Sequence, residues 1–311
     1  MRKMTKENIL LKIEDLNISF AKGKNKVLRD FSLDLSEREK FALIGESGSG
    51  KSVLILAILK LLPKSQVEGK IYYKNKNLLA LKEKEMEAIR GAEISYVPQG
   101  GGNALNPLMK VGLQVGEPLV IHKNLSKKES VRQAIDLLKK FNIGDEEKRV
   151  NDYPYAFSGG MRQRAMIAMG IAGGAEIILA DEPTKGLDSK RIDLVEESFL
   201  ALEERAYIVI THDLRFARNI SEKVGVLYAS YLLEEGQTED VFQNPLHPYT
   251  QAMIAALPEN GLKIDGSFVE KPNYNEGCIY RTSCKYASDK CLEAPPMFSL
   301  ENRKVRCWKY A

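Results

Sequence analysis

The stretch that most constrains this chain is GESGSGKS, from Gly45 to Ser52. It matches the pattern G-x-x-x-x-G-K-S, and its surroundings are those the pattern requires. KFALI before it reads as a buried strand, and SVLILAILKLL after it reads as a helix. Along Gly45, Glu46, Ser47, Gly48, Ser49 and Gly50 the glycines let successive backbone N–H groups turn inward around phosphate oxygens. The N-terminus of the following helix adds its partial positive charge. Lys51 is then placed to reach the β- and γ-phosphates and Ser52 to ligate Mg²⁺. A glycine turn that merely joined strand to helix would not need the Lys–Ser pair. The fold class is therefore α/β, and the chain binds a nucleotide; the loop alone does not say to what end.

A second stretch narrows the choice. EIILADEP carries a short apolar run, Ile177 to Ala180, that ends in two acids. A strand buried on both faces reads this way, and carboxylates at its C-terminal end sit where ligands bind in an open α/β sheet. Asp181 is expected to hold Mg²⁺, directly or through water, and Glu182 to polarise an attacking water. A strand ending in solvated acids is common by itself; beside a phosphate loop it is not the better reading. A third strand, YIVITHD, ends at His212. A lone histidine after a strand is more often a surface or satisfied core residue, but at this edge a γ-phosphate contact is the expectation.

At this point the residues resemble a known family, the ATP-binding subunits of ABC transporters. The decisive stretch is FSGGMRQRAMIAMGIA, Phe157 to Ala172. It is similar to the ABC signature: physically a Ser-Gly-Gly turn that opens a helix, and so a second anion site. The resemblance implies that Ser158, Gly159 and Gly160 cap the γ-phosphate held by a partner subunit's loop, with two ATP molecules sandwiched head to tail. It implies further that Phe20, in LNISFAKGKNKVL, stacks on adenine. Gln99, in ISYVPQ, would touch Mg²⁺ and sense membrane subunits. Asp188, in KGLD, would lie near the dimer contact, and His212 would be the switch histidine. Catalytic roles thus fall on Glu182, His212 and Gln99. The chain departs from the family's habit after Gln99, where GGGNALNP replaces an expected Asp-Pro pair; Gly100 to Gly102 should free this loop. Phe157 and Met161 stand where Leu and Gln are commoner.

The tail points to a branch. VFQNPLHPYTQAMIAALP, Val241 to Pro258, resembles a segment of oligopeptide, dipeptide and nickel importers; locally, His247-Pro-Tyr reads as a plain turn. All four cysteines lie beyond it, Cys278, Cys284, Cys291 and Cys307, spaced C-x5-C-x6-C-x15-C. That is neither paired C-x-x-C nor a ferredoxin run. Spacing alone leaves buried free thiols and a four-thiolate metal site both open. The tail has few large apolar residues with which to build its own core, which favours a cross-link. Four soft thiolates suit Zn²⁺ or an iron–sulfur cluster. The resemblance implies a [4Fe–4S] cluster serving as a structural staple, with the ATP site expected to survive its loss.

The expected organisation is an ABC nucleotide-binding domain over 1–240 and a C-terminal extension with the four-cysteine motif over 241–311. Within the first, a β-rich N-terminal part is followed by a helical subdomain over about 100–172 that ends in the signature helix. The charged N-terminus has no apolar run of the secretory kind, and no stretch approaches the roughly 18 apolar residues of a membrane span. A net charge of +4 on a chain with 28% charged residues argues for no nucleic-acid groove. The resemblance therefore implies a peripheral subunit at the cytoplasmic face of the membrane. Its partners would be a second, different ATPase chain, two permease subunits and, indirectly, an extracytoplasmic substrate-binding protein. Its cargo would be peptides or nickel. The alternative is a soluble ABC-type ATPase acting on ribosomes or DNA. Such proteins usually carry two cassettes or a long coiled-coil insertion, and neither is seen.

Overall fold

The computed structural model describes residues 9–20, 25–100, 104–257 and 277–311. The N-terminal part contributes β1 (Ile9–Phe20), β2 (Asn25–Ser36), β3 (Lys40–Gly45), α1 (Lys51–Ile58), β4 (Val67–Tyr73), β5 (Lys76–Asn77), α2 (Glu83–Ile89) and β6 (Ile94–Val97). A helical stretch follows, with α3 (Val111–Lys123), α4 (Lys127–Lys140), α5 (Glu146–Arg149) and α6 (Gly159–Ala172). The chain then returns to alternating elements: β7 (Ile177–Asp181), α7 (Ser189–Leu200), β8 (Ala206–Thr211), α8 (Leu214–Ile220), β9 (Lys223–Tyr228) and β10 (Tyr231–Gln237). It ends with α9 (Thr238–Gln243), α10 (Pro248–Ala255), β11 (Phe298–Leu300) and β12 (Arg303–Val305).

The strands lie in the order β5-β4-β1-β2-β10-β9-β3-β8-β7-β6. β3 pairs in parallel with both β8 and β9, and β7 with both β6 and β8. β7 and β8 are buried along their whole length, and β3 along all but its first residue. That burial on both faces is what their continuous apolar sequences require. Successive residues serve opposite faces. Ile177, Leu179, Ile208 and Ile210 join a core shared with α1 and the β1–β2–β4 sheet. Ile178, Ala180, Tyr207 and Val209 join a second core under α3, α4, α6 and α7. Register then brings three strand ends to one edge, since Ile44 lies opposite Thr211 and Asp181 opposite Ile210.

Helices α3 and α4 are delimited by local capping. Ser126 caps α4, its hydroxyl accepting from Glu129 N at 3.2 Å, and Asn124 ends α3 in the left-handed region at φ +55°. The C-terminal extension is less separate than its sequence suggests. Cys278, Ile279, Tyr280 and Cys291 pack in one apolar cluster with Ala42 and Ile44 of β3, Val224 and Val226 of β9, and Tyr249. β12 also pairs antiparallel with β10, Val305 opposite Glu234. The extension lacks a large core of its own because it borrows the sheet's.

Candidate nucleotide site

The loop from Gly45 to Ser52 leaves β3 and enters α1 as the sequence predicts. Two of its glycines are fixed by close backbone approach. A Cβ on Gly45, at φ +151°, would stand 2.0 Å from Leu227 O; one on Gly50, at φ +105°, would stand 2.0 Å from Val27 O. Lys51 is 5% exposed, and its Nζ donates to Gly45 O and Glu46 O, each at 2.7 Å. Burial holds its ammonium below the usual lysine range, while the carboxylates of Glu182, Asp181 and Glu46 pull the other way.

Asp181 ends β7 and is 3% exposed. The Ser52 hydroxyl hydrogen-bonds its carboxylate, yet burial still pushes the carboxyl above its ordinary range. Its Oδ1 has no hydrogen-bond partner. A buried carboxylate oxygen left unpaired beside a phosphate loop is a fitting ligand for a hard cation such as Mg²⁺. Glu182, next in sequence, stands at φ +47°, a left-handed backbone that costs a non-glycine residue about 1 kcal/mol or more. That conformation is held by Glu182 N donating to Ile210 O at 2.8 Å and by the side chain, whose Oε2 lies 2.6 Å from His212 Nδ1. The sequence led us to expect His212 at a phosphate; the structure pairs it with Glu182.

The other expected residues lie at the ends of elements. Phe20 lies half-buried at the end of β1, opposite Asn25. Gln99 is exposed just after β6, and Gly100 turns at φ +70°, while Gly101 and Gly102 lie outside the described residues. Exposed Ser158 caps α6, its hydroxyl accepting from Met161 N at 3.3 Å; Gly159 and Gly160 form the first turn. Asp188 caps α7, accepting from Arg191 N at 3.1 Å, and pairs with the Arg191 guanidinium. The sequence did not reveal Tyr249, whose hydroxyl reaches Glu46 Oε1 at 3.4 Å. Locally His247-Pro-Tyr reads as a plain turn; in the structure His247 caps α10, its Nδ1 accepting from Tyr249 N at 3.0 Å, and Pro248 and Tyr249 open the helix.

The four cysteines are free and line one cavity of about 190 Å³ together with His247, Tyr280 and Trp308. Burial pushes the Cys278 thiol up to about 11 and raises Cys284 and Cys307 as well. Among the described residues, no group of three or more His, Cys, Asp or Glu side chains could hold a metal ion. The expected metal-binding tail is thus seen as a ring of thiols around a cavity and not as an ion site.

Residues 28–185 match the ABC transporter family, and residues 233–291 match the oligopeptide/dipeptide transporter C-terminal region. The chain is 38% identical over 316 residues to the oligopeptide transport ATP-binding protein OppD of Bacillus subtilis, covering 96% of this chain and 88% of that one. The chain belongs to the ATP-binding subunits of ABC transporters. Its C-terminal part places it in the oligopeptide/dipeptide branch. It is 37% identical to the dipeptide transport ATP-binding protein DppD of Bacillus subtilis, covering 96% of this chain and 94% of that one. Among solved structures it resembles a dimeric ATP-binding cassette in a post-hydrolysis state bound to ADP and Pi. That match has a TM-score of 0.64 and 30% identity, and covers 73% of this chain and 98% of the other. The ABC subunit is an ATPase. Among its described residues no helix is long and apolar enough to cross a membrane.

Proposed function

We propose that this ATPase energises the import of peptides through membrane permease subunits, working at the cytoplasmic face of the membrane beside a second, different ATPase chain. The observation that supports ATP hydrolysis most directly is the Glu182–His212 pair, 2.6 Å apart, with the unpaired Asp181 Oδ1 on the preceding residue; import of peptides rests on the C-terminal match and the relatives. Lys51 binds the β- and γ-phosphates of ATP. Ser52, Asp181 and Gln99 hold Mg²⁺, which supplies charge neutralisation at the phosphate oxygens. Glu182 accepts the proton of the attacking water as the water oxygen bonds to the γ-phosphorus and ADP leaves. His212 keeps the Glu182 carboxylate aimed. Phe20 stacks on adenine. Ser158, Gly159 and Gly160 offer their N–H groups to the nucleotide on the partner's loop, near a contact made by Asp188. ATP closes this dimer and hydrolysis reopens it, and the permeases convert the motion into transport of cargo delivered by a binding protein. Peptides stand ahead of nickel because the relatives are named for oligopeptide and dipeptide transport.

We propose a [4Fe–4S] cluster ahead of zinc for the four thiols, on the ground that they line one cavity without meeting at a single point. A single Zn²⁺ needs sulfurs gathered about 2.3 Å from one point, whereas a four-iron centre spreads its thiolates around a larger body. Cys278, Cys284, Cys291 and Cys307 would hold it, and its positive charge would turn the neutral thiols into thiolates.

The test is uptake of labelled peptides by liposomes carrying the two permeases, both ATPase chains and the binding protein. Peptide-dependent uptake driven by ATP is expected; ATPase activity with nickel uptake alone would move the assignment. In parallel, anaerobic purification should give a brown protein, while a colourless one with one zinc would support the zinc site.

A further inference from the structure

We infer that Tyr249 is a positioning residue for the phosphate loop: its hydroxyl holds the Glu46 carboxylate toward the C-terminal extension and off the path of the incoming phosphates. The inference rests on the loop being the nucleotide site. Glu46 is the second residue of the loop and is exposed. Its carboxylate is the one acid within GESGSGKS. A negative charge beside an anion cradle opposes phosphate binding more strongly the closer it swings. Its backbone carbonyl, meanwhile, accepts from Lys51 Nζ, so the residue cannot leave without disturbing the lysine.

Tyr249 is built to restrain that carboxylate. Its hydroxyl donates to Glu46 Oε1 at 3.4 Å, the long end for such a bond. The ring is fully buried. It packs against Tyr228 at 4.3 Å between centroids and edge-on against Tyr280 at 5.6 Å. Burial and the nearby Glu46 charge both push the phenol up, so it stays a donor. The backbone is equally fixed. Tyr249 N donates to His247 Nδ1, and His247 N donates to Glu234 Oε2 at 2.9 Å. The start of α10 is thereby fastened to β10 while its first tyrosine reaches the loop. Tyr280, on the other side of that ring, lines the thiol cavity. One aromatic contact therefore separates the cavity from the phosphate loop.

A double-mutant cycle on the full-length chain tests this, with MgATP binding read by titration of a fluorescent ATP analogue and the melting midpoint measured for each variant. Tyr249→Phe keeps the ring and removes only the hydroxyl. It should weaken binding about fivefold, and lower the nucleotide-free melting midpoint by no more than one lost hydrogen bond accounts for. Glu46→Gln should bind more tightly than wild type, because it removes the opposing charge, and Tyr249→Phe in that background should have no further effect. A merely structural role would predict the same weakening in both backgrounds, or a melting midpoint lowered by more than one hydrogen bond accounts for. Either result, or full affinity in Tyr249→Phe, would overturn the inference. A wild-type chain that binds no MgATP would overturn the ATPase assignment itself, and this inference with it.

Discussion

Two regions of the molecule treat buried charge in opposite ways. Where the extension joins the sheet, Glu234 is fully buried and both of its carboxylate oxygens are hydrogen-bonded. Its Oε1 accepts from Leu246 N at 2.9 Å and from the Arg303 guanidinium, and its Oε2 accepts from His247 N at 2.9 Å. Nearby, Arg306 donates to the carbonyls of Leu232, Pro295 and Asp30 while its guanidinium lies over the Tyr231 ring. At the nucleotide site the carboxylate of Asp181 has one oxygen without a partner and Glu182 carries a left-handed backbone. The anchor's carboxylate is bonded on both oxygens within the chain, whereas Asp181 leaves one oxygen for something bound at the site.

The largest effect that could break this contrast is at the anchor. Glu234→Ala takes away the carboxylate partner of Arg303 and orphans two backbone N–H groups, and should destabilise the chain by about 3–5 kcal/mol, as breaking a buried ion pair does. Chemical denaturation measures it; a loss under ~1 kcal/mol would mean the anchor is not what holds the extension.

A pH-dependent effect, smaller than this at any pH above about 4.5, comes from His247. Burial pushes its imidazole down from an ordinary value of 6.5 to about 3. The unfolded chain therefore takes up a proton near pH 6.5 that the folded chain refuses until about pH 3. This contribution to stability is fully present above pH 6.5 and falls by about 1.4 kcal/mol per pH unit as the pH drops through that window. His247→Asn keeps an acceptor for Tyr249 N and should remove this component of the acid slope in denaturation series at successive pH values. An unchanged slope would show that the ring is not held neutral.

Asp181→Asn should produce the smallest change and the opposite sign. Removing a buried charge that lacks a full set of partners should stabilise the chain by about 0.5–2 kcal/mol, the usual gain at a functional site, while ATP turnover is lost. A melting experiment without nucleotide reads the gain; destabilisation there would show that Asp181 is already satisfied.

The two regions also differ in how far they can be read from sequence. The phosphate loop, the acids after β7 and the Ser-Gly-Gly turn are each contiguous, and their chemistry depends on residue types a few positions apart. The strands that carry them announce themselves by unbroken apolar runs. Glu234 and Arg303 stand 69 residues apart, and Glu46 and Tyr249 stand 203 apart. Their meeting follows from sheet register and from β12 pairing with β10, neither of which has a local signature. The Glu182–His212 pair was half-legible. Both residues end strands that the sequence marks, but only the parallel pairing of β7 with β8 sets them side by side. The thiols were legible as a group and their shared cavity was not, because its wall is completed by His247 and Trp308.

The central claim is that Glu182 performs the hydrolytic step at a site built by this chain, and ATP turnover by the assembled transporter carrying Glu182→Gln tests it most directly. Loss of the proton acceptor should cut turnover by about 100-fold or more, with MgATP binding retained because Lys51, Ser52 and Asp181 are untouched. Turnover at the wild-type rate in that variant would contradict the account.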